Sequence, residues 1–388
     1  MDLIHKFLNI VFPIVSFILF IYLLPLLSLY RLLRFRVRSV FPENLAEKVV
    51  LITGASSGIG EHLAYEYAKL GARLALVARR EERLNVVAGK AEAMGSPKVI
   101  VIKADVSKIE DCKRFVDQTV DHFGRLDCLI NNAGIAIVGL FEEQECITDH
   151  TSIMDINFWG SVNATHFALP HLKKSKGRIV VIGSCAGWFV TPKVSVYNAS
   201  KAAQKSFFET LRLELAPDIG VSIITLGLVD TYIATNEFIH ETNLDKAPLL
   251  SVEGCAKEIV NSVRRGDESL TEPQWMRTIF LWVMLLPELM NVARRFVNAR
   301  RGRTRQGHES RSNGSLQQPD VKLALILQLI SISGTLQLIS ISAAVSFSIR
   351  DEKSFEAEVI SYAYFLISSN AMLPCKRLPL ADGVPVIY

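Results

Sequence analysis

The chain has 388 residues and a net charge of only +4 at neutral pH. No basic cluster is interleaved with aromatic residues, so nucleic acid is not an expected partner. Six cysteines, Cys112, Cys128, Cys146, Cys185, Cys255 and Cys375, are widely spaced without a Cys-x-x-Cys pair; this argues against zinc or any other metal site and against a disulfide scaffold, and fits a reducing compartment.

In chain order, the first element is apolar. Residues 7–30 carry no charge and are dominated by Leu, Ile, Phe and Val, which helps explain a mean hydropathy of +0.26. As a helix this stretch can cross a hydrocarbon core of roughly 30 Å. It runs directly into Tyr30-Arg31-Leu32-Leu33-Arg34 with no small-residue cleavage site, so it reads as an uncleaved anchor. Pro13 and Pro25 leave two forms open, a kinked single span and a hairpin that returns to the same face. Arg31, Arg34, Arg36 and Arg38 follow the segment, against Lys6 before it. By the positive-inside rule the domain that follows lies on the cytosolic side. Residues 1–40 are therefore assigned to the anchor and its basic flank.

Residues 41–270 read as one Rossmann-type catalytic domain. Short apolar runs at Val49–Ile52, Leu74–Val77, Val99–Ile102, Cys128–Ile130, Ile179–Ile182 and Val221–Leu226 are predicted to be strands buried on both faces. Amphipathic stretches at Glu61–Leu70, Glu81–Met94, Ile109–Phe123 and Ala199–Leu215 alternate with them. That alternation predicts an α/β fold with a doubly wound parallel sheet. After about Ser269 it stops. Residues 271–300 form an apolar, helix-like segment broken at Pro287, with three open roles: capping a substrate pocket, pairing two subunits as a homodimer, or lying against a membrane. Residues 301–388 are a polar, basic linker and a tail without an assigned role, in which Gln-Leu-Ile-Ser-Ile-Ser occurs at Gln328–Ser333 and again at Gln337–Ser342.

The chemistry-bearing residues follow the strands. Thr53-Gly54-Ala55-Ser56-Ser57-Gly58-Ile59-Gly60 closes the first strand and opens a helix. Glycines there let the backbone turn tightly against a pyrophosphate, which the helix N-terminus attracts. Arg79, at the end of the second strand, stands where an NAD enzyme usually places an acid, and suits the 2′-phosphate of NADP(H). Asp105 after the third strand is positioned for the adenine, and Asn131-Asn132-Ala133-Gly134 after the fourth for lining the cofactor. Ser184 ends the fifth strand, in position to hold a substrate oxygen. Tyr197 and Lys201 lie four apart, on one face of a helix. A tyrosine with its ordinary pKa of about 10 is a poor proton shuttle at neutral pH, whereas a neighbouring ammonium favours the phenolate.

From residue 48 to about 265 these motifs resemble the short-chain dehydrogenase/reductase family, through Thr-Gly-x-x-x-Gly-x-Gly, Asn-Asn-Ala-Gly, Asn157, Ser184 and Tyr-Asn-Ala-Ser-Lys at Tyr197–Lys201. The proline-bearing anchor, Phe158-Trp159-Gly160 and Glu272-Pro273-Gln274-Trp275 are similar, more narrowly, to the plant steroleosins, 11-beta-hydroxysteroid dehydrogenase-like proteins of oil bodies. One departure is Leu226-Gly227, where the family commonly has Pro-Gly; a change in loop stiffness is expected.

The resemblance implies a proton relay. Tyr197 is the acid/base, and Lys201 binds the nicotinamide ribose and depresses the tyrosine pKa. Ser184 orients the carbonyl, and Asn157 holds a water that links Lys201 to solvent. Thr231 touches the nicotinamide carboxamide. The expected substrate is a lipid-soluble alcohol or ketone, a hydroxysteroid by resemblance alone, and the expected location is the membrane of the endoplasmic reticulum, the lipid-droplet surface, or both. The rival reading is a non-catalytic droplet-surface protein that uses its Rossmann domain to bind a partner. Sequons at Asn163, Asn198 and Asn313 would go unused in the cytosol.

Overall fold

In a computed structural model, residues 2–143, 147–231 and 248–292 are described. The linker and tail at 301–388, the repeated hexamer, the Asn313 sequon, Cys146, Cys375 and the end of the 271–300 segment lie outside them.

Helix α1 (Asp2–Val40, 39 residues) passes Pro13 and Pro25 without reversing. At 1.5 Å per residue it is about 58 Å long, and its apolar part is long enough to cross a membrane. A continuous helix has the form of the single span, with no hairpin turn. The basic flank also touches the domain. Arg38 Nη1 donates to Gly266 O at 2.8 Å, Arg34 pairs with Glu268 at 3.6 Å, and the Arg265 guanidinium lies 5.1 Å from the Phe35 ring centroid. Two of the four arginines thus fasten the helix to the domain.

The domain alternates β1 (Val49–Thr53), α2 (Gly58–Lys69), β2 (Arg73–Ala78), α3 (Glu81–Ala93), β3 (Val99–Lys103), α4 (Ile109–Phe123) and β4 (Cys128–Asn131). It continues through α5 (Ile147–Met154), a π-helical turn (Asp155–Trp159), α6 (Gly160–Ser175), β5 (Arg178–Ser184), α7 (Ser195–Leu215) and β6 (Gly220–Leu226). It ends with α8 (Val252–Arg264), β7 (Ser269–Glu272) and α9 (Met276–Leu285). The strands form one parallel sheet in the order β3-β2-β1-β4-β5-β6-β7.

Burial on both faces explains the uninterrupted apolar strands: all five residues of β1 are buried. One face carries a core built around Leu63, Tyr67, Leu84 and Ile259 from α2, α3 and α8; the other carries Phe115, Leu172 and Phe208 from α4, α6 and α7. The chain runs outward from β1 to β3 and then crosses back to β4. The strand order therefore reverses between β1 and β4, and the crevice at their carboxyl ends is where ligands bind in such sheets. β7 extends the domain two residues beyond the expected boundary at 270. The helix after it breaks before Pro287 and resumes over 287–292.

Candidate active site

Around the crevice, the end of β1 is tied to the end of β4. Thr53 Oγ1 donates to Ile130 O at 3.1 Å and accepts from Asn132 N at 3.0 Å. Asn132, a predicted cofactor-lining residue, donates from Nδ2 to Thr53 O at 2.9 Å and Gly54 O at 3.2 Å, so its carboxamide also ties the loop to the end of β1. The loop closes only with glycine at position 60, where a Cβ would stand 2.4 Å from Gly54 O and 2.5 Å from Asn132 Nδ2. Gly54 and Gly58 hold φ values of +67° and +61°, the left-handed region that glycine enters at no steric cost. Ile59 packs its side chain on the core, so only its backbone belongs to the loop.

Beside this loop stands a residue that motif reading missed. Arg80 Nη2 donates to Ser56 Oγ at 3.0 Å and Ser57 Oγ at 2.6 Å. Ser57 is the N-cap of α2, yet its side chain makes no capping bond; its hydroxyl faces Arg80. At α8, by contrast, Ser251 caps in the usual way, accepting from Gly254 N at 3.1 Å. The first turn of α2 consequently offers amides without a side-chain cap, beside a guanidinium, which is an anion site. A dinucleotide with an extra phosphate fits this donor set. The signal was present in the dipeptide Arg79-Arg80, of which only the first residue was singled out. Asp105 uses Oδ1 on Ser107 N at 3.1 Å and Ser107 Oγ at 2.8 Å, holding its own turn at the end of β3. Thr231 approaches the loop from the other side, its Cγ2 3.6 Å from where a Gly58 Cβ would sit.

Deeper in the crevice, Ser184, Tyr197, Lys201 and Asn157 come together. Ser184 Oγ accepts from Ala186 N at 3.1 Å, and Ser184 lies close enough to the Tyr197 phenol to favour its ionised form. Lys201 is 6% exposed, and its Nζ donates to Ile182 O at 3.0 Å and Gln204 Oε1 at 3.2 Å. Asn157 is fully buried in the π-helical turn, a local widening that often marks functional sites. Its Oδ1 accepts from Ile135 N at 2.8 Å, and its Nδ2 donates to Ile135 O at 2.9 Å and Ser200 Oγ at 3.0 Å. Asn157 thereby pins the segment after β4 over α7, with Gly134 between its side chain and Lys201.

Burial governs the electrostatics of the nucleotide-free site. Burial pushes the Tyr197 phenol up to about 12, with Ser184 opposing and Cys185 adding to it. Burial pulls the Lys201 ammonium down to about 8. Without bound nucleotide, burial dominates both groups, and Tyr197 holds its proton throughout the neutral range. Four residues after Ser184, Trp188 meets Phe280 of α9 edge-on at 5.1 Å and Phe189 at 6.1 Å between ring centroids. The ring contact ties α9 to the turn after β5, while Leu281, Met284 and Leu285 of α9 are exposed. Gly227, after the Leu226 departure, is needed for close approach, since a Cβ there would meet Met276 Sδ at 2.8 Å.

The comparisons agree with this geometry. The family model for short chain dehydrogenase matches residues 48–242. The chain is 48% identical over 301 residues to 11-beta-hydroxysteroid dehydrogenase A of Sesamum indicum, covering 75% of this chain and 86% of that one. It is 48% identical over 293 residues to 11-beta-hydroxysteroid dehydrogenase-like 4A of Arabidopsis thaliana, covering 75% of this chain and 98% of the relative. Among solved structures, a short chain dehydrogenase from Burkholderia cenocepacia in complex with NADP is similar with a TM-score of 0.55 and 29% identity, over 59% of this chain and 97% of that one. Sheet order, glycine loop and the Ser184–Tyr197–Lys201 cluster point the same way as these likenesses: the chain belongs to the short-chain dehydrogenase/reductase family, oxidoreductases of the Rossmann type, and is related to the plant 11-beta-hydroxysteroid dehydrogenase-like proteins.

Proposed function

We propose that the chain is a membrane-anchored enzyme that transfers hydride between NADP(H) and a hydrophobic ketone or alcohol, with a hydroxysteroid as the leading substrate class. The observation that carries this reading is the gathering of Tyr197, whose phenol feels Ser184, with a buried lysine one helical turn along α7. A pure binding module has no use for that cluster. The nicotinamide, when bound, donates hydride to the carbonyl carbon in reduction and accepts it in oxidation. Ser184 orients the substrate oxygen, and Tyr197 gives its phenolic proton to the oxygen as the carbonyl bond is reduced, recovering it from solvent afterwards. Lys201 holds the nicotinamide ribose, and its charge supports the phenolate formed in that step. Arg79 and Arg80 hold the 2′-phosphate, and Trp188 and Phe280 favour an apolar substrate. The names of the relatives above support a steroid.

The pH dependence tests the roles. Reduction needs the proton on Tyr197, present up to about pH 12, and the charge on Lys201, lost as pH rises through about 8. With NADPH and a panel of steroid ketones, the reductive rate is expected to be level below pH 7.5 and about ten-fold lower by pH 9. A rate that rises over that interval contradicts the assignment.

We place the domain on the cytosolic side of the endoplasmic-reticulum membrane, with the lipid droplet as a second location. The long α1 fits a bilayer, and its prolines mark two points where it can bend at a monolayer. Protease added to sealed microsomes is expected to digest the domain; a protected domain would reverse the orientation. Glycosylation at Asn198 is no substitute readout, because its side chain is buried and its Nδ2 bonds Thr191 O at 2.9 Å.

A further inference from the structure

Gln204 belongs to no motif, yet it touches the centre of the site. It lies three residues beyond Lys201 on α7 and is 1% exposed. Its Oε1 accepts from Lys201 Nζ at 3.2 Å, and its Nε2 donates to the Asn157 main-chain O at 2.9 Å and to Ser161 Oγ at 2.9 Å. Chemistry alone orients this amide. An ammonium only donates and a peptide carbonyl only accepts, so the oxygen must face the lysine and the nitrogen the π-helical turn.

The same bonds bear on the water that family resemblance places between Asn157 and Lys201. The Asn157 main-chain O accepts from Ser161 Oγ at 3.1 Å as well as from Gln204, which uses both of its lone pairs. The Asn157 carboxamide is taken up by Ile135 and Ser200. A bridge from Asn157 to the ammonium therefore already exists, and it is the Gln204 side chain.

We propose that Gln204 is the positioning residue of Lys201, bridging the ammonium to Asn157 in place of a relay water and holding it between Ile182 O and the nicotinamide ribose. This rests on the roles assigned above to Tyr197 and Lys201. An ammonium has three donors; Ile182 and Gln204 accept two, which directs the third to a ribose hydroxyl. The bond also sustains the lysine's charge. Burial is the one cause of the lowered Lys201 pKa. Among the described side chains, the titratable groups on elements packed against α7 are Arg178 on β5, Cys185 in the turn after β5, Asp155 in the π-helical turn and His150 on α5, with Tyr197, Lys205, Glu209, Arg212 and Glu214 on α7 itself, and none of them is a cause of the shift. Cys185 and Tyr197 are neutral at assay pH, raised to about 11 and about 12. With no carboxylate partner, the ammonium depends on neutral acceptors, and losing one makes deprotonation easier.

The test is fluorescence titration of the full chain in detergent with NADPH, and with NADH in parallel, from pH 6.5 to 9.5. NADH lacks the titrating 2′-phosphate, so a break in its curve belongs to the protein. In the wild type, affinity for both is expected to fall as pH rises through about 8. Gln204→Met keeps the volume and removes the acceptor, and the break should move down by about one pH unit. Gln204→Glu keeps an acceptor and adds a charge, and the break should move up. Ser161→Ala frees one end of the amide and should give a smaller downward shift. A merely structural role lowers the melting temperature without moving the break in opposite directions. Wild-type breaks in both residue-204 variants overturn the proposal; if the methionine variant fails to fold, the glutamate variant decides alone. Loss of the NADPH preference with the shifts retained counts against the 2′-phosphate assignment and supports the role of Gln204.

Discussion

Tyr197→Phe is expected to lower kcat by about 10²–10⁴-fold, the usual contribution of a positioned acid or base, with NADPH affinity within about two-fold of wild type. The substitution deletes only the hydroxyl, which is the group that Ser184 influences. The ring, its half-buried position at the head of α7 and the bonds of Lys201 to Ile182 and Gln204 are untouched. Serine cannot take over, because its pKa is far higher and Ser184 Oγ already accepts from Ala186 N. Stopped-flow reduction with saturating NADPH separates the two quantities. A variant that kept a tenth or more of its rate would show that the proton comes from elsewhere.

Arg80→Ala should weaken NADPH binding by ten-fold to over a hundred-fold while leaving NADH within about three-fold. Hydrogen bonds to a charged partner contribute roughly 1.5–3 kcal/mol, and the guanidinium is already aimed at the phosphate loop through Ser56 and Ser57. Its removal also returns the Ser57 hydroxyl to capping α2, which competes with a phosphate for the same amides. Arg79→Ala should show the same selectivity. Titration of both nucleotides against both variants checks this, and equal losses for NADPH and NADH would assign the arginines to the loop's shape and not to the 2′-phosphate.

The strands were legible because a parallel sheet covered on both faces demands runs such as Val49–Ile52 and Cys128–Ile130, with no polar alternation to confuse the period. β7 was missed for the opposite reason. Ser269-Leu270-Thr271-Glu272 is a short edge strand with one buried side chain, Leu270, and carries too little apolar signal. In the site, the spacing of Ser184, Tyr197 and Lys201 revealed a shared cluster, since helix periodicity alone puts Tyr197 beside Lys201. What spacing could not reveal was side-chain direction. Which of two adjacent arginines folds back over Ser56 and Ser57 depends on where α3 begins. That Asn132 supports the loop from below depends on the pairing of β1 with β4, a contact across 79 residues. Gln204 was invisible for a related reason: its partners Asn157 and Ser161 lie more than 40 residues away. Sequence also does not give burial, which pushes the Tyr197 phenol up to about 12 before any nucleotide is bound.

Isotope transfer tests the central claim most directly. The full chain in detergent is incubated with NADPH deuterated at the transferable C4 position and a panel of steroid ketones, and the products are analysed by mass spectrometry. The account predicts an alcohol carrying one deuterium on the former carbonyl carbon, formed by the wild type and absent with Tyr197→Phe. No deuterated alcohol from any ketone, from protein shown to bind NADPH, would contradict it and favour a binding role for the Rossmann domain.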